Sequence, residues 1–401
     1  MREHSIEFDK EMHLYARVIL QIGLDLKQGQ SICAEASVEQ HRFVTILAHE
    51  AYQAGASKFE VLWQSDGLDH ARLSAGASTL YSHTLQLAES YASEGYSYIR
   101  LENPCAKEAE ELSPEDLSIK SKERNRIRSL FRQKAFASGQ TVACVPSRQW
   151  ADQVYPELPP DKRLSALWNA VLVCTRCADP DPLSSWKQYL ADTARRKNKL
   201  DEKMYQCYRF LSSETDLTIY PAAGEKWRGS CIPLKDRRPV PNIPTEEIFL
   251  APSKYRVDGY VKSTKPLCWN GSLIDGISLR IKDGRIIETS AKKGDALLKQ
   301  IIETDSGSHY LGEMALVDNR SLVAQQNRIF YTTLFDENAS CHLAIGNAIC
   351  PISDFSEREL RGYNTSAIHI DFMIGSDDMC VYGLLPNGNW EEILINGQFK
   401  E

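Results

Sequence analysis

Between Ser31 and Trp63 the apolar positions change period twice. "SICAEAS" (31–37) is a short strand-like run. In "VEQHRFVTILAHEAYQA" (38–54), Phe43, Leu47, Ala51 and Ala54 fall on one helical face. Gly55 is then placed to end the helix. "KFEVLW" (58–63) returns to a strand. Strand, helix and strand in this order predict a βαβ unit, and so a parallel sheet. "YSYIRLE" (96–102) and "QTVACVP" (140–146) predict two further strands. Between them "SIKSKERNRIRSLFRQKA" (118–135) reads as a basic helix, which is expected to be a solvated face.

"ADPDP" (178–182) cannot continue a helix and reads as a linker. A long helix is expected at about 183–210. Beyond it the pattern becomes one of closely spaced strands. They are "TDLTIYP" (215–221), "RVDGYVK" (256–262), "GISLRIKDGRIIE" (276–288), "RIFYTTLF" (328–335), "CVYGLL" (380–385) and "EEILING" (391–397). "KDG" (282–284) marks a hairpin turn. Two domains are expected, an N-terminal α/β domain over 1–182 and a C-terminal α+β domain over 183–401.

Composition narrows the classes. Charged residues are 25% of the 401 and the net charge is −7, so no general attraction to nucleic acid or anionic lipid is expected. No apolar run is long enough to span a membrane. The opening "MREHSIEFDKEMH" lacks the apolar core of a secretory signal. The eleven cysteines follow no small-scaffold spacing. A cytoplasmic protein with reduced thiols is the expectation.

The candidate chemistry gathers late in the chain. "FDENASCHLA" (335–344) places two carboxylates, a thiol and an imidazole between apolar flanks. Glu337 and His342 are five apart, so a turn or helix start is needed to bring them together. In "HIDFMIG" (369–375), His369 and Asp371 share one face of an extended strand while Ile370 faces the core. One nitrogen and one oxygen from such a pair suit zinc, cobalt, manganese or iron. Glu247 in "PTEEIFLAP" and Glu313 in "LGEMALV" sit in apolar surroundings, where a lone carboxylate is costly. Taken singly, each has a plain reading as a salt-bridged or capping residue; their accumulation points to a carboxylate-rich metal hydrolase. "CTRC" (174–177) has no partner pair at zinc spacing and reads as packing, and "GEKWRGS" lacks a phosphate-loop spacing.

These segments together resemble the metalloaminopeptidase family of aminopeptidase T and aminopeptidase S, nearly throughout the chain. The most specific are "PNIPTEEIFLAPSKYRVDGYV", "LGEMALV", "LFDENASCHLAIG" and "NTSAIHIDFMIGS". The resemblance implies two divalent metal ions (zinc, cobalt or manganese) held by Glu247, Glu313, Glu337, His342, His369 and Asp371. Glu313 would bridge the ions, and Asp336, Asn338 and Ser340 would orient the ligands. Cys341 is expected to turn away and pack. The resemblance also implies a homodimer enclosing the active site, and a substrate that is a peptide N-terminus or a small amino-acid-like molecule.

One position departs from the family. A catalytic tyrosine is expected after the metal-binding histidine, and "HLAIGNAICP" has Ile349 there. The following loop, "CPISDFSERELRGYN" (350–364), is shorter than the family's. Three readings follow. The first is an aminopeptidase with another donor, for which Tyr363 is the nearest candidate in sequence. The second is an enzyme of different reaction class on the same scaffold, such as a biosynthetic enzyme or a relative of the 2,5-dihydroxypyridine dioxygenases with one iron(II). The third is a binding protein that kept the fold; it is disfavoured, because four unused clustered carboxylates repel one another.

Overall fold

The computed structural model describes residues 6–104, 113–269, 271–350, 352 and 354–400. Part of the 350–364 loop and the first residues of the charged opening therefore lie outside the described residues. The chain forms two compact units, residues 1–190 with 231–244 and residues 191–230 with 245–401.

The first unit is the expected α/β layer structure. Helix α1 (Ile6–Val18) is followed by β1 (Ser31–Ser37), helix α2 (His41–Gln53), β2 (Lys58–Gln64), β3 (Ser97–Glu102) and β4 (Gln140–Cys144). These strands and β7 (Asn242–Ile243) make a five-stranded parallel sheet in the order β2-β1-β3-β4-β7. Ser37 and Gln40 form a reciprocal capping box at the entry to α2, which buries Phe43, Val44, Leu47 and Ala51. The division expected at 182/183 moves into the helix Pro182–Lys203. Residues 231–244 return to the first unit because β7 pairs with β4 and extends the sheet.

The basic helix is present as Pro114–Ser138, but its cations are not simply solvated. Arg128 donates two hydrogen bonds to the buried Glu35 carboxylate, at 2.9 and 2.7 Å. Lys120 and Arg124 both reach Asp66 and the buried Asp69. Carboxylates that the sequence places 51 to 93 positions away account for these contacts. Removing one partner of such a buried pair typically costs about 3–5 kcal/mol, since the other charge is stranded.

The second unit is antiparallel. Strands β5 (Tyr208–Ser212), β6 (Thr215–Pro221), β9 (Pro252–Lys262), β12 (Ser278–Lys282), β13 (Arg285–Ser290), β17 (Cys380–Leu384), β18 (Trp390–Ile395) and β19 (Gln398–Phe399) form one sheet. Strands β8 (Glu247–Leu250), β14 (Leu311–Val317), β15 (His342–Gly346) and β16 (His369–Met373) form another, ordered β16-β15-β14-β8. Side chains from both sheets meet in one core. Val257, Val261, Phe210, Leu217 and Val381 come from the first, and Met314, Leu316, Leu343, Ile345, Ile370 and Phe372 from the second.

One expected strand is absent. "RIFYTTLF" is a loop that ends in a short helix, Thr333–Asp336. Its aromatic and β-branched composition is overridden by Asp336, whose carboxylate accepts from Phe330 N at 2.7 Å and Thr332 N at 3.1 Å. Tyr331 between them has φ +58°, a left-handed backbone that no strand adopts.

Candidate metal centre

The four-stranded sheet sorts its residues by face. Met314, Leu316, Leu343, Ile345, Ile370 and Phe372 point into the core. Glu313, His342, His369 and Asp371 occupy the alternate positions. Register then assembles them. Ala344 on β15 lies between Glu313 on β14 and Asp371 on β16, and Gly346 lies beside His369. Small residues in the middle strand leave room above it. A Cβ on Gly346, where φ is +102°, would lie 2.3 Å from Ile368 O. A Cβ on Gly312 would lie 2.3 Å from Asn347 O, the carbonyl that orients His369. The glycine before Glu313 is thus a requirement of the site.

Glu313 stands between the two histidines. Its Oε1 is 3.6 Å from His342 Nε2, and its Oε2 is 3.7 Å from His369 Nε2. Glu247 Oε2 is 2.9 Å from His342 Nε2, and Asp371 Oδ1 is 3.4 Å from His369 Nε2. Two triads result, Glu247/Glu313/His342 and Glu313/His369/Asp371, with Glu313 common to both. Within each triad the ligand atoms lie within 4.8 Å of one another.

The surroundings orient these groups as metal ligands need. His342 Nδ1 donates to Ser340 O at 3.3 Å, and His369 Nδ1 donates to Asn347 O at 2.7 Å. A carbonyl can only accept, so Nδ1 carries a proton in each ring and Nε2 is the atom that faces the carboxylate oxygens. Asn338 donates to Glu337 Oε1 at 3.5 Å and to Leu334 O at 3.0 Å, while its own oxygen accepts from Glu246 N at 2.6 Å. Asn338 is thus held by Leu334 O and Glu246 N and touches Glu337 only at long range. Ser340 contributes its carbonyl, since its hydroxyl goes to Cys341 O. Asp336 holds the 330–332 backbone, and burial pushes its carboxyl up to about 7. Cys341 packs in the core against Val317, and burial pushes its thiol up to about 11.

The electrostatics follow from burying carboxylates beside two imidazoles. Burial pushes Glu313 up to about 7, with the Glu247 charge reinforcing it against the pull of the His342 imidazole. Glu337 is raised well above its ordinary range by burial, then by Asp371 and Glu247. Burial works against ionising His369, but Asp371 and Glu313 outweigh it and bring it up to about 10. His342 is likewise raised, burial being outweighed by Glu247 and Glu313. Asp371 is held low, because His369 outweighs burial. Glu247 Oε2, His342 Nε2 and Asp371 Oδ1 are buried and make no hydrogen bond. Either protons or cations must occupy the space between them. The three carboxylates and two imidazoles of the two triads could hold a metal ion; Glu337 belongs to neither triad.

The remaining predicted residues are placed elsewhere. Tyr363 is buried among Ala222, Ala251 and Ala348, and its hydroxyl donates to Glu225, outside the ligand set. Glu225 also accepts from Arg228 at 2.8 Å, and Arg228 donates to the carbonyl of Ile349. The Ile349 side chain is 43% exposed. Sequence reading passed over Glu225 and Arg228: they lie in "GEKWRGS", where a Glu-x-x-Arg spacing in a loop carries no signal before the partner segments are known. "CTRC" is packed as expected, with Cys177 pushed by burial up to about 12.

Comparison with known proteins adds independent findings. A family model described as "Thermophilic metalloprotease (M29)" matches residues 8–399. The chain is 32% identical to "Aminopeptidase 2" of Geobacillus stearothermophilus over 98% of each protein. It is 33% identical to "Aminopeptidase T" of Thermus aquaticus, covering 98% of this chain and 99% of that protein. Among solved structures, "Wild-type AmpT from Thermus thermophilus" superimposes with a TM-score of 0.91 at 31% identity, covering 98% of this chain and all of the other. A 2,5-dihydroxypyridine dioxygenase from Pseudomonas putida KT2440 shares the fold at a TM-score of 0.53 and 12% identity, over 99% of this chain and 98% of the other.

Proposed function

The chain belongs to the M29 family of thermophilic metalloproteases, and from that premise we propose that it is an aminopeptidase-like hydrolase working at a two-cation centre. It would remove N-terminal residues from peptides or cleave a small amino-acid-derived amide. The observation that carries this reading is Glu313: its two oxygens face different histidines, so one carboxylate serves two triads.

Glu247 and His342 would hold one ion and His369 and Asp371 the other, with Glu313 shared between them. Glu337 lies in the field of both sides, coupled first to Asp371 and then to Glu247. When bound, two divalent ions supply Lewis-acid polarisation of the scissile carbonyl and a more acidic attacking water. The chain's own part is to fix the ligands. The carbonyls of Ser340 and Asn347 set the two imidazoles. His369 is the most exposed of these residues and marks the open side of the cluster. Aminoacyl p-nitroanilides and dipeptides with zinc, cobalt or manganese test the activity. Cleavage confined to substrates with a free α-amine is expected; metal-independent cleavage, or none with any ion, would sink the reading.

Ion binding must displace protons, so affinity should depend on pH. Glu313 is up at about 7 and must ionise to bridge. Apparent affinity for zinc or manganese should therefore rise between pH 6 and pH 8, by up to about tenfold per pH unit for each proton released. Competition titrations with a chromophoric chelator at both values measure it. A flat profile would mean that Glu313 does not carry the proton.

The quaternary arrangement and compartment belong to the same proposal. A homodimer follows from the family resemblance, and a cytoplasmic location from the scattered free thiols. Light scattering should return the mass of two 45.3 kDa chains, and the mass of one would contradict it. Among the described residues no helix is long and apolar enough to cross a membrane.

A further inference from the structure

The first unit carries its own group of metal-ligating side chains, on helices α1 and α2 and remote in sequence from the hydrolytic centre. His13 on α1 places Nδ1 2.7 Å from Glu50 Oε1 on α2. The His49 ring stands edge-on to the His13 ring, with centroids 6.1 Å apart and an interplanar angle of 89°. One ligand atom from each of His13, His49 and Glu50 lies within 4.8 Å of the other two. Adjacent helical positions diverge by about 100°, so His49 and Glu50 meet only at a point on the seam facing α1. The other Glu50 oxygen is 3.7 Å from Arg17, which steadies the carboxylate without covering the oxygen that faces His13. His13 and Glu50 are partly buried and His49 is exposed, so the point is open to a cation from solvent.

We propose that His13, His49 and Glu50 form a separate binding site for a transition-metal cation such as zinc, with water completing its coordination. Two imidazoles and one carboxylate are a zinc-type donor set, whereas magnesium and calcium require oxygen ligands throughout. A histidine–carboxylate hydrogen bond alone accounts for His13 and Glu50; it does not account for His49 converging on the same point. The bound ion joins the N-terminal helix to α2 and so fastens it to the sheet domain.

The test is a zinc count by equilibrium dialysis and elemental analysis, with zinc as the only probe. It is made in the Glu313→Gln background, where the hydrolytic centre is disabled, and in the parent. His49→Ala should lower the count by one zinc per chain in both backgrounds, and in the parent it should leave peptidase activity intact. His41→Ala, another exposed histidine of α2, should change nothing. His13→Gln should repeat the loss by removing a second ligand. Because the readout is a difference, it holds however many ions the Glu313→Gln centre retains. An unchanged count in His49→Ala, or an equal loss in His41→Ala, would overturn the site while leaving the hydrolytic centre untouched.

Discussion

Glu313→Gln should strip the hydrolytic centre of its ions and reduce peptide turnover by at least about 10²–10³-fold, the usual loss when one preorganised charge-stabilising group is removed. Glutamine keeps the shape of the side chain. It loses the charge, and it turns one ligand oxygen into an amide NH2 that cannot coordinate. Each Glu313 oxygen faces a different histidine, so a single substitution damages both triads. Stability should move the other way. Glu247, Glu337 and Asp371 crowd Glu313 with like charge in the metal-free protein. The metal-free variant should therefore be at least as stable as the metal-free parent, because a buried like charge has gone. Elemental analysis, kinetics and denaturant unfolding of the same preparations measure all three quantities. Full metal occupancy with full turnover would remove Glu313 from the centre.

Peptides in general should turn over slowly, by about 10²–10³-fold relative to aminopeptidases that carry tyrosine where this chain has Ile349. The resemblance implies that such a tyrosine donates a hydrogen bond to the developing oxyanion. An isoleucine side chain offers only apolar bulk, so nothing at this position binds the transition state better than the ground state. The nearest tyrosine in sequence does not repair the loss, because the Tyr363 hydroxyl is taken by Glu225. The segment is also held in place: Arg228 donates to Ile349 O, and Arg358 donates to Ala348 O at 2.9 Å. A small substrate with an apolar edge should suit the pocket better than an extended peptide. Rapid cleavage across a dipeptide and aminoacyl p-nitroanilide panel, matching tyrosine-bearing relatives assayed in parallel, would refute this. Ile349→Tyr should recover part of the peptide activity with metal content unchanged.

Much of the architecture is legible in the sequence because it is local. β1 and β6 are 31–37 and 215–221 as their apolar patterns predict. The His-x-Asp spacing of 369 and 371 places both residues with Glu313 because a strand repeats every two residues. What was misread depends on distant partners. "RIFYTTLF" has the aromatic and β-branched composition of a strand, but the Asp336 carboxylate binds its backbone and bends it. The basic helix looks solvated until Glu35, Asp66 and Asp69 are folded against it. The domain boundary is blurred because β7 is only two residues long, too short to show a pattern before it pairs with β4. The Glu225–Arg228–Tyr363 cluster joins two loop segments that have no periodicity to read.

The central claim is that one carboxylate, Glu313, joins two cations. Crystals equilibrated with zinc or manganese and measured at the metal's absorption edge would locate the ions directly. At the hydrolytic centre two anomalous peaks should appear, one between Glu313, Glu247 and His342 and the other between Glu313, His369 and Asp371. A single peak on a reduced set of these residues, above all one iron accompanied by oxygen-dependent turnover, would contradict the two-cation hydrolase and place the protein's chemistry in another class.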